Sequence, residues 1–179
     1  LYQQAHAALS GYPLRDAWPT LVSISENVIF RVDTAGGERY ALRLHRPGYH
    51  TAPEICSELA WLDALHASGV EVPLPVPGHD GQCLRTLPGN NGMTRHAVMF
   101  AWMDGNEPTP DIDPAAFARL GHITARLHDH SRHWTRPDGF VRKAWVPATM
   151  TGPHALWGQW DSVPGMTGAG RDLIAHCLQ

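Results

Sequence analysis

The sequence predicts an α+β chain in which an antiparallel sheet comes first and helices follow. Three observations carry this prediction. Val28, Phe30 and Val32 alternate with Ile29, Arg31 and Asp33, and Tyr40, Leu42 and Leu44 resume the alternation after a turn. A period of two is the mark of half-buried strands. One long helical pattern opens at Thr51 and separates this hairpin from a second strand pair. Beyond Asp113 only helical periodicity recurs, and strands followed by helices make a sheet lobe leading into a helical one.

A short helix is predicted around Gln3 to Leu9, ending at Ser10 and Gly11. Strand character runs from Leu21 to Val32 and again from Tyr40, with the turn at 34–38 between the arms of the hairpin. Arg43 falls on the face opposite Leu42 and Leu44, together with Ala41 and His45. Pro47 and Gly48 end the strand. Thr51 and Glu54 then have the spacing of a capping box, with Pro53 tolerated in the first turn. This helix is predicted to stop at Gly69. Ile55, Leu59, Leu62 and Leu65 share its apolar stripe, and Glu58 projects between Leu62 and Leu65.

Residues 70–78 read as a proline-rich connector. Gln82 to Leu87 and His96 to Trp102 read as a second antiparallel pair about the turn at 88–92. Asp113 followed by Pro114 starts another long helix, striped by Phe117, Leu120, Thr124 and Leu127. Regularity then fades among Trp134, Trp145, Trp157 and Trp160, until a last helix from about Gly168 to Leu178.

A chain of 179 residues suits one ordinary domain or two small lobes. No apolar run approaches the roughly 18 residues of a membrane span, and Leu1 to Gln4 have neither part of a signal peptide. The first residue is Leu rather than Met, which reads as a piece of a longer product. A net charge of −3 with scattered basic residues gives no footprint for nucleic acid. Cys56, Cys83 and Cys177 are odd in number and far apart, which argues against a disulfide framework and for a reducing cytoplasm.

Five features could carry chemistry. An apolar helix face takes a carboxylate only where a cation meets it, so Glu58 points to Arg43 as its partner. On spacing alone the two could equally be a surface arginine and acid that never meet. The loop from Ser23 through Ser25 to Asn27 could cover phosphates with its N–H and hydroxyl groups, or be an ordinary polar turn. The strand Ala97 to Gly105 runs into an extended turn of the kind that main-chain recognition of a base uses, and a plain strand end would look the same. His122, His128, His130 and His133 crowd one helix, but His128 follows the apolar stripe while His122 and His133 face away from it. His122 and His133 are about 16 Å apart along the axis. They cannot share one ion, so no metal site is predicted. Asp104, Glu107, Asp111 and Asp113 make an acidic run, read as solvated loop residues and a helix cap rather than an entrance for a cationic substrate.

Taken together, the chain resembles the aminoglycoside phosphotransferase and choline kinase superfamily, nearest to its homoserine-kinase-like and bacterial stress-response kinase members. The residues that carry the likeness are 25–32, 40–48, Glu58 with Leu59 and Leu62, 70–75, 103–105 and 120–128. The resemblance implies a protein-kinase-like N-lobe over residues 1–103, ending in a hinge, and the start of a helical C-lobe over 104–179. It implies ATP as phosphoryl donor and a hydroxyl of a small molecule as acceptor. Arg43 would meet the phosphates, where many relatives carry Lys, and Glu58 would hold it. Ala101 and Met103 would offer a carbonyl and an N–H to adenine, Phe100 would close the back of that pocket, and Ser23, Ser25 and Asn27 would cover the phosphates.

The superfamily's catalytic loop, H-x-D-x-x-x-x-N, and its later metal-binding Asp hold the general base and Mg²⁺. No such motif occurs in these 179 residues. The resemblance thus implies a fragment that lacks the catalytic Asp and the Mg²⁺ ligands and is inactive alone. The alternative is a non-catalytic kinase-like binding module. Tryptophans near the end of the chain suggest a face meant to be covered, through which the fragment could self-associate.

Overall fold

The structure, a computed structural model, describes residues 1–89, 92–105, 113–156 and 158–178. Asn90 and Asn91 of the predicted turn, Glu107 and Asp111 of the acidic run, and Trp157 lie outside the described residues. The chain divides into two compact units, Leu1–Val141 and Arg142–Gln179. Among its described residues the second holds two α-helices, α4 (Pro147–Thr151) and α5 (Gly168–Cys177), with a 3-10 turn at Trp160–Ser162 between them; α5 is capped by Thr167, whose hydroxyl accepts the Gly170 N–H.

The first unit is built on a five-stranded antiparallel sheet in the order β1-β2-β3-β5-β4. Its strands are β1 (Ala17–Ile24), β2 (Asn27–Thr34), β3 (Arg39–His45), β4 (Leu84–Pro88) and β5 (Thr94–Ala101). Helix α1 (Tyr2–Leu9) precedes the sheet, α2 (Ala52–Ala67) joins β3 to β4, and α3 (Pro114–His133) follows β5. The sheet-first order predicted from the sequence is therefore the order observed.

Alternation along β2 is strict: Val28, Phe30, Val32 and Thr34 are buried, and the residues between them are half-buried. The buried set meets Leu42, Leu44, Ala97 and Met99 from the neighbouring strands and Ala5, Ala8 and Leu9 of α1. This is the larger core. Tyr12 closes it, its hydroxyl accepting the Met99 N–H at 3.1 Å and donating to the Cys83 carbonyl at 3.3 Å. Burial pushes that phenol up to about 12.

The opposite face packs against α2, where Ile55 and Leu59 meet Val98 and Phe100, with Ala41, Leu62 and Leu84 at the margin. The capping box at its start is present in both directions: Thr51 Oγ1 accepts the Glu54 N–H, and Glu54 accepts the Thr51 N–H at 2.8 Å. Gly69 ends the helix with φ +79°, a left-handed conformation that glycine adopts without steric cost. Helix α3 begins at Asp113 as predicted, with Asp113 accepting the Ala115 N–H. Its predicted stripe is largely uncovered: Phe117, Leu120 and Thr124 are exposed and Leu127 is half-buried. Its far end docks on α2 through Trp61, whose indole N–H donates to His130 at 3.3 Å.

Two features differ from the sequence reading. Strand β1 starts at Ala17, ahead of the predicted Leu21, and includes Pro19, which an edge strand can accommodate. The proline-rich connector is also not a free loop. It runs beside the end of β5, where Val76 N–H donates to the Met99 carbonyl and Ala101 N–H to the Leu74 carbonyl, both at 2.8 Å. It takes the place that β4 leaves empty, because β4 pairs with β5 only as far as Val98.

Candidate functional site

Residues paired across antiparallel strands point to one face, so the register lays the α2 side of the sheet out in rows. Ser23, Ile29, Arg43, Val98 and Leu84 form one row across all five strands. On one side of it lies the row Thr20, Arg31, Ala41 and Phe100, then Trp18, Asp33 and Arg39. On the other side Asn27 pairs with His45. Successive rows are about 7 Å apart.

Helix α2 covers only the half of this face over β5 and β4. Over β1, β2 and β3, Thr20 and Ser23 are exposed and Ile29 and Arg31 half-buried. Arg43 stands at the border between the covered and the open half. Its Nη2 donates to Glu58 Oε1 at 2.7 Å, and its guanidinium lies 4.8 Å from the centre of the Phe100 ring. The Arg43 and Glu58 side chains are 19% and 21% exposed. At an effective dielectric of 20 such a pair attracts by about 4 kcal/mol, and desolvating the two ions costs a similar amount. The pair therefore adds little net stability. It does hold a cation at a fixed place beside an open surface, with guanidinium N–H groups to offer a planar anion.

The predicted phosphate-covering loop is a tight hairpin. Ser25 N–H donates to the Asn27 carbonyl at 2.9 Å, and Glu26 at the tip meets Arg46 at 3.5 Å. Ser23 lies in the row of Arg43 and Asn27 one row beyond, while Ser25 is at the exposed tip. At the other end, the strand exit is held in place. The Ala101 N–H is engaged by Leu74, and Met103, two residues on, is 42% exposed. A cavity of about 340 Å³ opens beside Met103 and is lined also by Val70, Glu71 and Arg126.

The sequence reading missed two parts of this surface. Arg39 stacks over Trp102 at 5.6 Å and pairs with Asp33 at 3.2 Å and Asp104 at 3.9 Å, while the Trp102 indole donates to Asp104 at 3.0 Å. Hydrogen bonds from Arg31 and then Arg39 hold the Asp33 carboxyl below its usual range. Opposite charges at Asp33 and Arg39, flanking a hairpin turn, were the signal available for this group. The second part is His45, which is 2% exposed although it lies on the half-open face. Of the four histidines on α3, three (His122, His130 and His133) line a cleft of about 560 Å³ with Arg126 and Asp129. Among the described residues no group of three or more His, Cys, Asp or Glu is placed to hold a metal ion.

Comparison with known proteins agrees with this fold. Residues 20–162 match the phosphotransferase enzyme family. A solved microcompartment-associated aminopropanol kinase superposes with a TM-score of 0.83 at 36% identity, over 97% of this chain and 54% of that one. A homoserine kinase of Granulibacter bethesdensis is 30% identical over 68% of this chain and 36% of its own length. An amicoumacin kinase, solved with AMP-PNP, Ca²⁺ and Ami, shares the fold at a TM-score of 0.70 and 20% identity, over 80% of this chain and 43% of that one. The chain thus spans about half, or less, of the length of these kinases. A sheet and helix of kinase type, a paired arginine beside an open face and a match over residues 20–162 lead to one conclusion: the chain belongs to the phosphotransferase enzyme family.

Proposed function

We propose that this chain supplies the nucleotide-binding part of an ATP-dependent kinase that phosphorylates a hydroxyl of a small molecule, and that Arg43 grips the phosphates. The observation that carries this reading is the bond between Arg43 and Glu58, made at the edge of an open sheet face. In this reading residues 1–103 are the nucleotide lobe and the helical lobe starts at residue 104. Adenine lies toward the strand exit, where the Ala101 carbonyl and Met103 N–H meet it and Phe100 closes the pocket behind. From there the nucleotide runs along β3 over the about 14 Å between the Arg39 row and that of Arg43, with its phosphates at the Arg43 end under the hairpin carrying Ser23, Ser25 and Asn27.

The residues present fit a nucleotide better than a resident metal. Arg43 Nε is buried and has no hydrogen-bond partner among the described residues, and the guanidinium is held by the Glu58 carboxylate and the Phe100 ring. Arg43 would neutralise charge on the transferring phosphate, and Glu58 would stop it from swinging away. Bound ATP supplies the phosphoryl group, with Mg²⁺ expected from outside this set of residues. The acid–base step also needs a residue these 179 do not provide in the family's H-x-D-x-x-x-x-N pattern. Helix α3, with Phe117, Leu120 and Ile123 exposed, would make the isolated chain prone to self-association.

The named relatives direct the choice of acceptor, since aminopropanol and homoserine each carry an amine and a hydroxyl. An amino alcohol is therefore the acceptor class to try first. Cys56, Cys83 and Cys177 are unpaired, as in a protein of the cytoplasm. The test is ATP-dependent phosphorylation of a panel of amino alcohols, amino acids and sugars. It compares residues 1–179 with the protein at its natural full length. Turnover by the full-length protein and none by residues 1–179 is expected. Turnover by residues 1–179 alone would overturn the division of labour, and no nucleotide binding at full length would favour a non-catalytic module.

A further inference from the structure

Four buried side-chain atoms have no hydrogen-bond partner among the described residues: Asn27 Oδ1, Arg43 Nε, and both ring nitrogens of His45. An unpaired buried polar atom is costly, and native structures rarely keep several. These four belong to three residues that the register places together. Asn27 and His45 are direct partners across β2 and β3, and Arg43 lies two residues from His45 on the same face.

Their hydrogen-bonding needs are complementary. Arg43 Nε–H can only donate, and Asn27 Oδ1 can only accept. A neutral imidazole has one nitrogen of each kind, and burial together with the nearby Arg43 keeps His45 neutral. The backbone beneath is already fixed. Arg95, itself buried, donates from Nε to the His45 carbonyl at 3.0 Å and from Nη1 to Gln4 at 2.9 Å. If only packing mattered, a leucine or phenylalanine would fill this place without leaving polar atoms unpaired.

Resting on the nucleotide-site reading above, we propose that Arg43, His45 and Asn27 close into a hydrogen-bonded relay when a nucleotide phosphate binds. Arg43 Nε–H donates to one ring nitrogen of His45, and the other ring N–H donates to Asn27 Oδ1. The relay ties the arginine that grips the phosphates to the root of the hairpin that covers them. His45 is thus a positioning residue: it touches no phosphate, and it makes the hairpin respond to the occupancy of Arg43. Chains of this kind strengthen one another away from water.

The experiment measures AMP-PNP binding by calorimetry in the protein at its natural full length, for the wild type, His45→Leu and His45→Gln. His45→Leu is expected to weaken binding by roughly tenfold, and His45→Gln, which keeps a donor and an acceptor, to recover most of it. Nitrogen-15 spectra of the His45 ring provide a readout that packing alone would not move. One accepting and one donating nitrogen should become distinct when AMP-PNP is added, and this serves also if His45→Leu fails to fold. Wild-type affinity in His45→Leu, or a ring spectrum unchanged by AMP-PNP, would overturn the relay while leaving the nucleotide site standing. Failure of the wild type to bind AMP-PNP would overturn both.

Discussion

Replacing Arg43 with alanine should lower kcat/KM for ATP by about 10²–10³-fold in the full-length protein, the usual effect of removing one fixed donor to developing charge. The loss comes from two sources. The cation proposed to face the phosphates disappears, and Glu58 leaves its negative charge beside the same place. Arg43→Lys should fall between the two proteins. It restores the charge but not the planar stacking on Phe100. Both side chains of the pair are about one-fifth exposed, so removing Arg43 alone should also lower stability in urea unfolding, by up to about 3 kcal/mol. Steady-state kinetics read beside urea unfolding separate these effects. A variant that unfolds early but turns over normally when folded would return the pair to a structural role.

Acid should destabilise this domain through His45 before its carboxylates titrate. Burial first, and then the positive charge of Arg43 with lesser effects of His50, His96 and Arg95, push the imidazole from 6.5 down to about 3. A histidine whose pKa is depressed by folding contributes stability that is fully present above pH 6.5. That stability is lost as the pH falls toward 3, because the unfolded chain takes up the proton first. The loss should reach roughly 3 kcal/mol by pH 4, a large part of the stability of a small domain. Urea midpoints measured between pH 7 and pH 4 check this. His45→Leu should flatten the profile, and an equally steep profile in that variant would assign the acid lability elsewhere.

Much of this fold is legible residue by residue. Period-two alternation located β2 and β3, and Thr51 with Glu54 marked the first turn of α2. Glu58 pointed to Arg43 because a carboxylate on an apolar stripe needs a cation, and the two meet at 2.7 Å. What escaped the sequence depends on distant parts of the chain. Pro19 hid the start of β1, since only its place at the sheet edge makes a proline acceptable there. The connector at 74–76 has no strand pattern of its own and is ordered by the unpaired end of β5. Tyr12 serves partners 71 and 87 residues away, and no local pattern records them. His45 reads as a polar residue on a half-open face, and its burial follows only from how the sheet and its surroundings assemble.

The most direct test is a crystal structure of the full-length protein with AMP-PNP and Mg²⁺. A phosphate oxygen should lie within about 2.7–2.9 Å of an Arg43 guanidinium nitrogen. The bond from Arg43 to Glu58 should be kept, with adenine against the Ala101 carbonyl and the Met103 N–H. A nucleotide bound with its phosphates away from Arg43, or an Arg43 released from Glu58 to make room for it, would contradict the account.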